Sequence, residues 1–259
     1  MGVLLWLANW KLLPETLHAT HKQPFEVGHL LRGYWQLGSN PRFFMLALAS
    51  GIPFNGMFLY VLSAPVFLGE LLHLGPGQFF WFFTLTITGI MGGAFLSGRL
   101  AGRIKPKHQI RHGFVIMLLV SLTNVTLNLL FQPQAWWALL PIAIFAFGWA
   151  LMVPVVTLMV LDLAPDRRGM ASSLQACVGS VANGIVAGVV APLVMHSTVA
   201  LAIASLLMMS IGIVAWVWTL RALEFEPRAV VASQQIASLV NLARAALHHS
   251  DAINRVALV

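Results

Sequence analysis

The stretch GIMGGAFLSGRLAGRIKPKHQIRH, Gly89 to His112, decides how this chain is read. Its first half is apolar and punctuated by Gly89, Gly92, Gly93, Ser97 and Gly98. Its second half carries Arg99, Arg103, Lys105, Lys107 and Arg111. Apolar runs lie on both sides, Gln78–Leu96 before and Phe114–Phe131 after, and a helical span needs ~20 such residues. A short basic loop between two spans stays on the cytoplasmic side, so this loop orients everything around it.

Composition agrees. Hydrophobic residues make up 59% of the 259, charged residues 9%, and mean hydropathy is +0.83. Soluble domains average about 45–50% apolar and about 25% charged, so the chain is an integral membrane protein. The net charge of +7 and pI of about 10.5 would suggest nucleic acid in a soluble chain, but no separate basic domain exists to bind it. The single cysteine, Cys177, excludes disulfide frameworks and cysteine metal sites and reads as a small core residue.

Outward from the loop, Gly2–Leu13 is apolar but about half a span long. It lacks the basic start and cleavage site of a secretory signal, so it reads as the remnant of a preceding span. Glu15–Pro41 is polar and reads as a cytoplasmic linker with one surface helix near Val27–Leu37. Six segments of spanning length follow: Arg42–Leu68, Gln78–Gly98, Gly113–Phe131, Ala135–Leu161, Met170–Met195 and Thr198–Leu220. All 15 Lys and Arg fall within or beside the linker, the Arg99–Arg111 loop, the Asp162–Arg168 loop and the tail. Alternate connections such as Gln132–Gln134 carry none. That segregation predicts cytoplasmic ends for the six-helix unit. Beyond Arg221 apolar residues recur at helical spacing, which predicts an amphipathic helix lying on the membrane or on the helix ends. The expected organisation is a remnant span (1–13), linker (14–41), six-helix domain (42–221) and cytoplasmic tail (222–259).

No acid or base lies deep in a span, so this half supplies no obvious proton-coupling carboxylate. Polar uncharged groups do. Ser172, Gln175, Gly179 and Asn183 share one face of the fifth span; beside them Ser180, Gly184 and Gly188 form a small-residue stripe suited to close helix packing. Gln175 and Asn183 suit either cavity lining or interhelical hydrogen bonds. Asn55, amid Phe54, Phe58 and Tyr60, suits an amphipathic ligand or a kink beside Pro53. Trp149 and Met152 add contact area in the fourth span. Ser121, Asn124 and Asn128 on the third are explained as well by helix–helix bonding. The nine histidines have no metal-ligand spacing, and neither a nucleophile elbow nor a phosphate-binding loop occurs. No cofactor, metal site or enzyme activity is expected.

Leu13-Pro14-Glu15-Thr16-Leu17 before the linker, Ser63-Ala64-Pro65, Gly98-Arg99-Leu100-Ala101-Gly102-Arg103 and Gly169-Met170-Ala171-Ser172-Ser173-Leu174 together resemble drug efflux pumps of the major facilitator superfamily, Bcr/CflA type. The third of these is similar to a degenerate second copy of the superfamily's Gly-x-x-x-Asp-Arg-x-Gly-Arg motif, with Gly98 where Asp is usual and two residues between Arg99 and Gly102. The resemblance covers Leu4 to about Leu223, half of a family member. It implies an all-α six-helix bundle, the carboxy-terminal half of a twelve-helix inner-membrane exporter, built as two inverted three-helix repeats. It further implies alternating-access efflux of drugs or small organic molecules by proton antiport, with coupling acid and stronger motif in an amino-terminal half that is missing here. Expected cavity contacts are Asn55, Phe58, Trp149, Gln175 and Asn183; Arg99 and Arg103 are expected at a cytoplasmic gate. The partners implied are a small-molecule substrate, protons, the bilayer and the other half. A non-transporting membrane scaffold and a half-sized transporter working as a homodimer remain open at this point.

Overall fold

The computed structural model of the chain describes residues 2–12 and 27–222. Linker residues 14–26 and the amphipathic tail expected beyond Arg221, from residue 223 on, lie outside these residues. Helix α1 spans Gly2–Leu12 and α2 spans Val27–Gly38. Then come α3 (Pro41–Leu62), α4 (Phe80–Leu100) and α5 (Pro106–Leu130). Short α6 (Ala135–Ala138) leads into α7 (Leu140–Asp162). Helix α8 (Arg168–Ile185) continues through a π-helical turn, Val186–Val190, into α9 (Ala191–Val194). The last helix, α10, runs Thr198–Ala222. Six stretches are long and apolar enough to cross a membrane, beginning at Pro41, Pro76, Pro106, Ala135, Pro165 and Thr198. The described residues form an all-α membrane bundle without strands.

Most span starts are local chemistry. Asn40 caps α3, its Oδ1 accepting from the Arg42 N–H at 3.0 Å, with Pro41 in the first turn. Proline likewise opens α5 at Pro106. That start corrects the reading of Arg99–Arg111 as a loop. Arg99 belongs to the last turn of α4, Lys107 and Arg111 to the first turns of α5, and only Ala101–Lys105 connects them. Proline pre-set for the first helical position moves the start seven residues ahead of the apolar run that began at Gly113. Within the turn Gly102 has φ 74°, the left-handed region that glycine enters without strain.

Helix α7 is apolar on every side and packs against α3, α4, α5 and α8. Glycines let the chains close on it. A Cβ on Gly89 would run into the Ala143 carbonyl oxygen, and one on Gly93 into that of Phe147. Across the other face a Cβ on Gly113 would lie 2.7 Å from the Gly148 oxygen. The glycine spacing in Gly89–Ser97 is thus a backbone-to-backbone seam, which small residues favour in lipid. Gly212 on α10 makes room in the same way for the ring of Pro53 in α3. Below, Tyr60, Phe67 and Phe82 stack edge to face with centroids 5.0 and 6.4 Å apart, an arrangement favoured by the ring quadrupoles.

Helix α2 matches the surface helix expected in the linker. Gly33 and Leu37 are buried, Tyr34 Oη lies 2.8 Å from Ser173 Oγ, and Arg167 donates to Gln36 at 3.3 Å. It therefore rests on the start of α8, with Val27, Leu31 and Trp35 turned outward.

Candidate functional site

Near the middle of their spans, α3 and α8 cross at two glycines. A Cβ on Gly51 would sit 3.4 Å from the Gly179 Cα, ordinary contact for one methyl and too close for anything larger. One turn away on α8, the Gln175 amide donates to Ser50 Oγ at 2.9 Å and to Thr157 Oγ1 at 3.3 Å. Ser50 Oγ in turn donates to the Ala47 carbonyl at 3.0 Å, and the Trp149 indole N–H donates to the Ser50 carbonyl at 3.1 Å. One amide, two hydroxyls and one indole thereby tie α3, α7 and α8, with the α7 partners Trp149 and Thr157 about two turns apart. With no water inside a bilayer, each of these groups needs such a partner.

Beside this network lies an open recess of about 360 Å³, whose walls include Ser50, Phe54, Trp149, Ser172, Gln175 and Asn183. Phe54 packs on Trp149 with centroids 5.0 Å apart and on Phe58 at 5.3 Å. The buried amide oxygen of Asn183 has no hydrogen-bond partner. Aromatic faces, two amides and no ionisable side chain suit an uncharged or lipophilic organic molecule held by stacking and one or two hydrogen bonds. Among the described residues no three His, Cys, Asp or Glu side chains gather as a metal site.

Of the residues expected in a cavity, the structure brings Trp149, Gln175 and Asn183 together in this recess. Phe58 stands one ring behind its wall, against Phe54. Asn55 is elsewhere. It is fully buried, its amide donates to the Gly51 carbonyl of its own helix at 3.1 Å, and its oxygen is unpartnered. It is a packed residue at the Pro53 bend, because the register of α3 turns it away from the face that carries Ser50 and Phe54. Met152 is core as well. Ser50 and Thr157 escaped the sequence reading, since a lone hydroxyl in a span carries no spacing signal. Asn124 donates to Tyr60 Oη at 2.9 Å and so joins α5 to α3, whereas Asn128 donates back to Asn124 within α5.

At the basic end Arg99 lies over the Phe95 ring, 4.9 Å from its centroid, and Arg103 is exposed. The polar contact that joins helices here is Gln109. It is 2% exposed and donates to Ser97 Oγ at 2.7 Å and to the Leu151 carbonyl at 2.9 Å, joining α5 to α4 and α7. A helix begun at Pro106 would have revealed it, for Gln109, Ile110, Gly113 and Met117 then share one buried face.

Two expectations on α8 change. Cys177 is exposed, not in the core, and a Cβ on Gly184 or Gly188 would meet nothing within 4 Å. The outer face of α8 is covered by no other helix among the described residues, so its small-residue stripe packs on none of them.

Comparison with known proteins decides the family. Residues 1–187 match the sequence profile described as Major Facilitator Superfamily. The chain belongs to the major facilitator superfamily. It is also 26% identical over 195 residues to an "Uncharacterized MFS-type transporter YdgK" of Bacillus subtilis (strain 168). That alignment covers 75% of this chain and 47% of the relative, so the chain spans about half the length of the curated relative it matches. For a superfamily member, the mid-depth recess between α3, α7 and α8 is the natural place to look for a ligand, since transporter sites lie near the bilayer midplane.

Proposed function

We propose that this chain works in membrane transport as the carboxy-terminal six-helix half of a Bcr/CflA-type exporter, carrying small organic molecules outward in exchange for protons. The observation that carries the reading is the recess. It lies at mid-depth, holds Trp149, Gln175 and Asn183, and opens beside an α8 face that no helix among the described residues covers. An amino-terminal half laid against α3 and α8 would close it into a central cavity and bring the coupling acid that these spans lack. The unpartnered Asn183 oxygen would then accept from substrate or from that half. Arg99 and Arg103 would act at the gate on the basic side, which on this reading is the cytoplasmic face of an inner membrane; the tendency of Lys and Arg to stay on the cytoplasmic side supports it.

The test is efflux of a fluorescent lipophilic dye from cells lacking their own pumps, expressing the native gene with any in-frame coding sequence ahead of Met1. Gln175→Leu and Trp149→Ala are expected to raise the apparent KM or stop efflux without lowering the amount of protein in the membrane. A protonophore is expected to abolish efflux in the parent. Unchanged efflux in both variants would reject the recess as the substrate site, and protonophore-insensitive efflux would reject antiport.

A further inference from the structure

A second concavity, separate from the recess, runs along the outside of the bundle between α5 and α10. Its volume is about 470 Å³, within the size of small-molecule sites. One wall is a single stripe of α5: Lys107, Arg111, Phe114, Val115 and Leu118, spaced three and four apart so that all share a face. The other wall is the matching stripe of α10, Ile213, Trp216, Val217 and Leu220. The chemistry is divided along its length. Lys107, His108 and Arg111 stand at one end, and every lining residue beyond them is apolar or aromatic. Phe114 and Trp216 form a buried floor, at 4% and 3% exposure, while Val115 and Val217 form open rims at 45% and 39%. The rims run on into Leu119 and Val214, which are among the most exposed apolar residues of their helices. The groove is therefore part of the lipid-facing surface.

We propose that this groove is a binding site for one anionic phospholipid, with the phosphate held by Lys107 and Arg111 and an acyl chain laid over Phe114 and Trp216. Bulk lipid needs no cations, so an apolar furrow alone would take any chain that touched it. Two long basic side chains one helical turn apart, directly above the furrow, add a requirement for negative charge at headgroup height. The site also lies at the end of the bundle where the basic residues gather. By the orientation rule that end faces the leaflet rich in anionic lipid, whose surface attracts cations. The amino-terminal end of α5, opened by Pro106, adds its positive dipole beside Lys107. None of this depends on the transport reading.

Native mass spectrometry of the full chain, released from bilayer discs of equal phosphatidylglycerol and phosphatidylcholine, tests the site. The parent is expected to retain phosphatidylglycerol in preference to phosphatidylcholine. Each cation near a lipid surface contributes about five-fold, or about 1 kcal/mol, so Lys107→Gln with Arg111→Gln is expected to lower that preference about 25-fold. Val217→Trp, which fills the furrow from its exposed rim and leaves the charges, is expected to lower retention of both lipids. Arg32→Gln, an exposed cation of α2 outside the groove, is expected to change nothing, and the thermal midpoint of every variant checks folding. An equal loss in Arg32→Gln would reduce the effect to general surface charge and overturn the proposal. So would displacement of the lipid by soluble glycerol phosphate, which would make the site one for free phosphates. No adduct on the full chain, with one gained on a chain shortened to Ala222, would give the groove to residues 223–259 and equally overturn it.

Discussion

Replacing Gln109 by leucine removes the side chain that joins the basic end of α5 to two other helices. The glutamine makes two interhelical hydrogen bonds, at 2.7 Å to Ser97 and 2.9 Å to the Leu151 carbonyl, from a position 2% exposed. Interhelical bonds in membrane proteins average about 0.6 kcal/mol and reach about 1.7, so the pair contributes about 1–3 kcal/mol. Leucine keeps the volume and the helix, which confines the loss to the bonds and to a stranded Ser97 hydroxyl. Reversible unfolding in mixed micelles by added detergent, followed by helical circular dichroism, reads this directly. Combining Gln109→Leu with Ser97→Ala isolates one bond by a double-mutant cycle, with an expected coupling of about 0.6–1.7 kcal/mol. Arg103→Gln, removing an exposed cation in the connection between α4 and α5, is expected to shift stability by less than about 0.5 kcal/mol. A coupling within about 0.3–0.5 kcal/mol of zero, the scatter of independent sites, would refute the claim that Gln109 holds these helices together.

The seam on α7 gives a paired expectation: Gly93→Leu should lose about 3 kcal/mol or more, or fail to yield monodisperse protein, because its side chain would meet the Phe147 carbonyl. Gly98→Ala, where nothing lies within 4 Å, should leave thermal stability within about 0.5 kcal/mol. Gly102→Val should cost about 1–2 kcal/mol in the same assay through its φ of 74°, and Gly102→Asn distinctly less. Asn55→Leu should change stability by less than about 1 kcal/mol, since it also removes an unpartnered buried oxygen. Dye efflux should survive it, in contrast to Gln175→Leu.

What the sequence determined by itself is whatever a bilayer makes one-dimensional. Spanning length, apolar content and the side on which Lys and Arg fall are set residue by residue by the cost of polar groups in lipid. The six spans, the all-α class and the surface helix at Val27–Gly38 were therefore legible, and the motif order already pointed to the superfamily. Tertiary structure decided everything that depends on which face a residue turns to a neighbour. Asn55 and Gln175 are both polar groups in a span, yet the register of α3 buries one against its own backbone, while the crossing at Gly51 and Gly179 brings the other to Ser50 and Thr157. Gln109 read as part of a polar loop until the helix start at Pro106 turned it inward. The stretch from Gly89 stays central to the molecule with its parts reassigned. Its glycines are the seam on α7, its buried glutamine joins three helices, and its cations Lys107 and Arg111 face a groove that only the pairing of α5 with α10 creates. Periodicity gives each helix its faces, but only packing chooses the partner for each face.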